Sequence, residues 1–337
     1  MKTLSIIIPY HNEDVSLLYY PMSSLNTQVG VDWSDVEIII SNNCEKPKDI
    51  ENWLKQFEDI YPSIRYVECP VKKGMGQNRQ YGLSISTGKY VMFSDSDDTL
   101  LSPLSLKTLL DEAYTDKYNL ISGGVIREVT ERGVHTSTIA DMESNTLLLH
   151  GKVYRKNFLM ENGIHFSPWI FAYEDFYFNL LATTFASVFP DKYKILADGI
   201  YTWRAREDSI SSEMGSDNYT ALYYKDSILY IYYAARHVLD YALDKEYAFS
   251  FHHNCLFNIY RGRLASPSQD EFTIAVAAMI CKYCNIDKES LQQDVSDLNV
   301  KVSTVESLAD WVNRVLEYDI TGAEEKFGIE PYKKFIY

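Results

Sequence analysis

The chain has 337 residues, enough for a sizeable core and, since single cores rarely grow far beyond about 250 residues, for two units. With 46% apolar and 23% charged residues it reads as globular, not as a disordered tail. A formal net charge of −15 with no Lys/Arg run disfavours a nucleic acid or an anionic membrane surface as partner, because both are gripped through basic stripes.

The five cysteines are odd in number and scattered, which does not read as a disulfide framework. The apolar run Leu4 to Ile8 meets Pro9 too soon for a signal peptide, and Phe272 to Cys281 is about half the length that spans a bilayer. The chain therefore reads as cytoplasmic, or as peripheral at the inner face of a membrane. Its 27 tyrosines suit carbohydrate-facing grooves, although most of them are expected simply to pack.

In chain order, Leu4 to Ile8 stops at Pro9, and Val36 to Ile40 stops at Ser41-Asn42-Asn43. Continuous Ile runs bounded by turn residues suit strands buried on both faces. Val15 to Gln28 can hold the crossover helix between them. Ile64 to Glu68 is a third strand, Gln77 to Ser86 a helix closed by Thr87-Gly88, and Tyr90 to Phe93 a fourth strand ending in Ser94-Asp95-Ser96-Asp97-Asp98. Strand–helix–strand repeats predict an α/β fold with a doubly wound, mostly parallel sheet. Ligands bind beyond the carboxyl ends of such strands, so the three polar clusters should converge. From about residue 215 the texture becomes helical and Tyr-rich. Ile228, Ile231, Ala235, Val238, Leu239 and Ala242 fall on one helix face, and Phe272 to Cys284 and Val305 to Tyr318 form further helices. The predicted division is a catalytic domain over 1–214 and a helical region over 215–337, which can bind acceptor, pair subunits into a homo-oligomer, or brace the first domain.

Asp95-Ser96-Asp97-Asp98 packs three carboxylates into four residues at the end of an apolar strand. Like charges so close call for a cation, and Mg²⁺ or Mn²⁺ takes oxygen ligands from one or two carboxylates and substrate phosphates. The plain alternative is a solvated turn in which Asp98 caps a following helix. Glu174-Asp175 sits among five aromatics between Phe171 and Phe178, where two acids are costly unless paired or functional; the alternative is a surface helix start, where acids favour the dipole.

Three segments in order resemble glycosyltransferase family 2, with its glycosyltransferase-A fold, over roughly residues 1–212. They are Ser5-Ile6-Ile7-Ile8-Pro9-Tyr10-His11-Asn12-Glu13, the Asn78-Arg79-Gln80-Tyr81-Gly82 segment, and Tyr90 through Asp98 with its Asp-x-Asp pattern. The resemblance implies an inverting, metal-dependent enzyme that moves a sugar from a UDP-sugar to a hydroxyl of a glycan or polyol-phosphate acceptor. By it, Asp97 with Asp95 holds Mn²⁺ or Mg²⁺. Pro9, Tyr10, Asn12, Glu13, Asn42, Arg79, Asp95, Ser96, Arg204 and Arg206 bind the nucleotide-sugar. Asp175 is the catalytic base, and Glu174 binds acceptor hydroxyls or positions that base. Where the family's second strand usually ends in Asp-Asp, this chain has Ser41-Asn42-Asn43, and an Asn amide can still meet the uracil edge. Gly151 to Lys156 resembles the segment before the base, and Tyr201-Thr202-Trp203-Arg204 the segment that closes over the diphosphate.

Cys281-Lys282-Tyr283-Cys284 lacks a second ligand pair at zinc spacing, and His252-His253 reads as packing or surface. Two other readings compete with glycosyl transfer. A nucleotidyltransferase shares the sheet and the acids but usually carries a Gly-rich loop with a Lys near its first strand; a non-catalytic nucleotide-sugar-binding module would not need Asp95, Asp97 and Asp175 together.

Overall fold

A computed structural model describes residues 2–11, 14–44, 50–72, 74–131, 134–140, 148–205, 217–241, 270–286 and 308–333, with short stretches between 248 and 260 and the single residue 289. The chain divides into two compact units, Met1–Met214 and Gly215–Ile336.

The first unit is built on one mixed sheet. Strands β1 (Leu4–Tyr10), β2 (Val36–Asn42), β3 (Ile64–Glu68) and β4 (Tyr90–Phe93) form its parallel half. Beyond them lie β5 (Thr99–Leu100), β6 (Leu120–Glu131), β7 (Val134–Ala140), β8 (Lys152–Arg155) and β9 (Tyr193–Trp203). The order across the sheet is β3-β2-β1-β4-β8-β6-β9-β5, with β7 paired to β6. In this second half β8 runs antiparallel to β4 and β6, β5 antiparallel to β9, and β6 parallel to β9. Helices α1 (Tyr19–Asn26), α2 (Ile50–Leu54), α3 (Met75–Ile85), α4 (Ser105–Tyr114), α5 (Lys156–Glu161) and α6 (Glu174–Ser187) connect and cover the strands.

Every residue of β1 and β2 is buried, as continuous Ile runs require. Ile6, Ile8, Ile38 and Ile40 share one core with Met22 and Leu25 of α1, Ile50 and Leu54 of α2, and Leu106, Leu109 and Leu110 of α4. Strand alternation sends Ile7 to the other face. There α3 lies so close that a Cβ on Gly82 would come within 2.5 Å of Ile7 Cγ2.

Pro9 does not end the first strand, which runs on to Tyr10. The Ile7 carbonyl accepts from Ser94 on the β4 side, while the Tyr10 carbonyl accepts from Asn43 on the β2 side. The Pro9 nitrogen therefore faces β4, whose pairing with β1 has already stopped at Ile7–Phe93, and no ladder bond is lost. Nor does Asp98 cap a helix. Thr99–Leu100 forms β5 against β9, and α4 begins only at Ser105.

The second unit contains helices Asp217–Asp240, Asp270–Tyr283 and Leu308–Glu317. Ile228, Ile231, Ala235 and Val238 are buried as their spacing predicts, Leu239 is half-buried, and Ala242 lies outside the described residues. Cys281 is buried and Cys284 half-buried. His252 is buried with Nε2 3.0 Å from the Ala235 carbonyl, and His253 lies outside the described residues. Among the described residues no helix is long and apolar enough to cross a membrane.

Candidate active site

The strand order reverses direction between β1 and β4, and the crevice beyond their carboxyl ends is where an open α/β sheet receives ligands. The turn Ser94–Asp98 leaves β4 at that point. A chain of charged groups starts from it and reaches α6.

Arg79 on α3 is its hub. Its guanidinium is buried and bonds Asp95 Oδ1 through Nη2 and Glu174 Oε1 through Nη1, both at 2.7 Å. The approach of α3 to α6 depends on Gly76, where a Cβ would meet Glu174 Cγ at 2.8 Å. Glu174 and Asp175 open α6 directly after Tyr173, which holds a left-handed φ of 62°. A non-glycine residue there costs about 1 kcal/mol or more, and such strain clusters where side chains must be aimed. On the other side of the hub, Asp95 Oδ2 lies 3.0 Å from His150 Nε2, which is 3.9 Å from Asp98 Oδ2. His150 stacks on Tyr201 with ring centroids 4.8 Å apart and planes 12° from parallel. The Tyr201 hydroxyl accepts from the Asp95 N–H and donates to Asp98 Oδ2, each at 3.0 Å. The Arg204 N–H donates to Asp98 Oδ1 at 2.9 Å, and Arg204 Nη1 to the Asp97 carbonyl at 3.0 Å. The Arg204 guanidinium rests 3.4 Å from the centroid of the Tyr20 ring.

Burial sets the baseline for each ionisable group here. It disfavours charge on Asp95, yet Arg79 and His150 outweigh it and hold that carboxyl well below the usual range. Asp98 is pushed up to about 7 by burial, with Asp95 and Asp97 adding and His150 opposing. Glu174 is likewise pushed up to about 7 by burial and by Asp175, against Arg79. Asp175 is raised by burial and by Asp95, against Arg79 and His150, so the field of the whole cluster reaches it. Burial lowers His150, but Asp95 and Asp98 more than offset it.

The sequence model of the family described as Glycosyl transferase family 2 matches residues 5–180. The chain belongs to glycosyl transferase family 2. The GalNAc(5)-diNAcBac-PP-undecaprenol beta-1,3-glucosyltransferase of Campylobacter jejuni is 35% identical over 116 residues, 34% of this chain and 35% of the relative. The poly(ribitol-phosphate) beta-glucosyltransferase of Bacillus spizizenii is 27% identical over 217 residues, 61% of this chain and 32% of the relative. The matches thus span about a third of the length of these curated relatives. The crystal structure of S. aureus TarS 1–349 in complex with UDP-GlcNAc shares the fold, with a TM-score of 0.66 at 17% identity over 97% of this chain and 92% of that one.

Within this family-2 chain, Arg79, Asp95, Glu174 and Asp175 meet as one cluster, and Arg204 joins it through Asp97 and Asp98. Other expected site residues are engaged differently. The Tyr10 ring belongs to the hydrophobic core, and its carbonyl accepts from Asn78 at 3.0 Å. Pro9 and Ser96 are buried. Asn42 is fully buried, donating to Tyr66 Oη at 2.6 Å and accepting from the Cys44 N–H at 2.8 Å, so both ends of its amide are taken up at the strand end. Asn43 pairs with His11 Nδ1 at 2.7 Å and donates to the Gly74 carbonyl at 2.9 Å. Asn12, Glu13 and Arg206 lie outside the described residues.

Asp95, Asp98 and His150 each offer a ligand atom within 4.8 Å of the others. Two carboxylate oxygens and one imidazole nitrogen fit a divalent ion of the Mn²⁺ type somewhat better than Mg²⁺, which prefers oxygen alone. His150 turns Nε2 to the two carboxylates, while its Nδ1 is buried with no hydrogen-bond partner among the described residues. Asp97 is half-buried beside them, close enough to raise Asp98. His150 is the member of the site that the sequence did not point to, while Asp98 and Tyr201 lay within the acidic cluster and the Tyr201–Arg204 segment without a role of their own. His150 directly precedes the Gly151–Lys156 segment singled out there, but a lone histidine carries no spacing signal of its own.

Proposed function

We propose that the chain is an inverting, metal-dependent glycosyltransferase that transfers a hexosyl or N-acetylhexosaminyl group from a UDP-sugar to a hydroxyl of a polyol-phosphate or glycan acceptor. The observation that carries this reading is the unbroken line Asp98–His150–Asp95–Arg79–Glu174, with Asp175 beside it, at the carboxyl end of β4. Support for the donor and acceptor classes comes from the poly(ribitol-phosphate) transferases among the relatives and from the TarS structure with UDP-GlcNAc.

In this reading Asp95, Asp98 and His150, with Asp97 at hand, hold Mn²⁺ or Mg²⁺. When bound, the cation supplies neutralisation of the leaving diphosphate. Arg79 and Arg204 add fixed positive charge beside the acidic turn, Arg79 on Asp95 and Arg204 on the Asp97 carbonyl. Asp175 accepts the proton of the acceptor hydroxyl as that oxygen attacks the anomeric carbon. The bond from that carbon to the diphosphate breaks, UDP departs with the electron pair, and attack from the opposite face inverts the centre. The raised affinity of Asp175 for a proton, which burial causes, suits it to this step. Glu174, held by Arg79, fixes the start of α6 and hence the aim of Asp175.

Two measurements test the proposal together. UDP release from UDP-sugars should require Mn²⁺ or Mg²⁺ and stop with EDTA. Asp175→Asn should retain UDP-sugar binding while lowering turnover by roughly 10²-fold or more. Undiminished turnover in that variant would remove Asp175 from the role of base.

A further inference from the structure

Tyr201 is fully buried on β9, far in sequence from the acidic turn, yet three of its contacts end on that turn and its partner histidine. A phenol hydroxyl has one proton to give and lone pairs to receive. Here the proton goes to Asp98 Oδ2 and a lone pair takes the Asp95 backbone N–H, both at 3.0 Å. The ring lies nearly parallel to His150 at 4.8 Å, so the imidazole can pivot little about the axis that aims Nε2 at Asp95. The second oxygen of Asp98 is fixed from just past the end of the same strand by the Arg204 N–H at 2.9 Å. One residue thereby fixes the backbone of the first ligand candidate, the carboxylate of the second and the ring plane of the third.

We propose that Tyr201 is a positioning residue of the cation site: its hydroxyl and ring hold Asp95, Asp98 and His150 in the arrangement that receives the divalent ion. The inference rests on the metal-dependent reading above. In this role Tyr201 acts through the three groups it holds. Outer-shell partners of this kind are worth about 10–100-fold in metal affinity.

The experiment is a titration of the full chain with Mn²⁺, free ion being followed by electron paramagnetic resonance, for wild type, Tyr201→Phe, Asp98→Asn and the double variant. Tyr201→Phe deletes one oxygen and keeps the stacking ring. Its Mn²⁺ dissociation constant should rise about 10-fold or more. The Mn²⁺ concentration giving half-maximal UDP release should rise in parallel, with kcat at saturating Mn²⁺ little changed. On the Asp98→Asn background the same substitution should add little, because the partner it acts through is already altered. Equal Mn²⁺ affinity in wild type and Tyr201→Phe, or full additivity in the cycle, overturns the positioning role while leaving the metal reading standing. A wild type that binds no Mn²⁺ removes the metal reading and this proposal with it. Should Tyr201→Phe fail to fold, amide exchange in the wild type decides: slow exchange at Asp95 N–H, whose acceptor is the Tyr201 hydroxyl, supports the proposal, and rapid exchange overturns it.

Discussion

Arg79 shows how much of the site rests on one side chain. It bonds two carboxylates at 2.7 Å from a buried position, and their charges keep it protonated against burial. Removing one partner of a buried ionic group leaves the others uncompensated, typically at about 3–5 kcal/mol. Arg79→Met should therefore lower unfolding free energy by roughly that amount in urea, and a loss under about 1 kcal/mol would show that Asp95 and Glu174 find other partners. The sequence offered Arg79 only through a family segment. That it bridges the two acidic motifs, 16 and 95 residues away, follows from helix α3 passing between them. Asn42 has local partners of its own. As a polar residue at a strand end it is a natural ligand for a base edge, but with Tyr66 and the Cys44 N–H in reach its amide is already bonded.

Among the elements, α3 couples the sheet to the site, because the helix that presents Arg79 rests directly on β1. Its contact with Ile7 leaves no room for a side chain at Gly82, where an added Cβ would lie 2.5 Å from Ile7 Cγ2. Gly82→Ala gains helix propensity but must push α3 off the strand, and overpacking of this kind costs about 1–3 kcal/mol. Denaturant unfolding should show a net loss, and donor affinity should fall with it because Arg79 moves with the helix. A stabilised Gly82→Ala would mean that α3 slides freely over β1. The buried Ile runs of β1 and β2, and helix α3 itself, were all legible in advance, since each answers to a local pattern. The short β5 was not. Two residues carry no periodicity, and only pairing with Thr202 and Tyr201 makes Thr99–Leu100 a strand.

At the scale of the whole first unit, a buried carboxylate ties the parallel half of the sheet together. Glu37 on β2 accepts from Ser5 Oγ of β1 at 2.5 Å and from the Thr87 N–H, and pairs with Arg65 of β3 at 3.1 Å. Burial disfavours its charge, but these bonds outweigh burial and hold its pKa below the ordinary value. A carboxyl depressed in the folded state adds stability that is present above its unfolded pKa of about 4.3 and is lost as pH falls through the lower folded value. Wild type should therefore lose stability more steeply than Glu37→Gln below about pH 4.3, and parallel acid limbs for the two proteins would show that Glu37 does not set this dependence. The sequence by itself determined the parallel strands and the helical texture after residue 215, and it brought Asp95, Asp97 and Asp175 forward as candidates, because hydrophobic period, turn residues and motif spacing are properties of neighbours in the chain. Only the tertiary structure decided that His150 and Tyr201 join the acids and that Asp98 faces them instead of capping a helix. Those contacts arise where β9 and the segment before β8 cross the end of β4, and no local pattern records which distant strands will meet there.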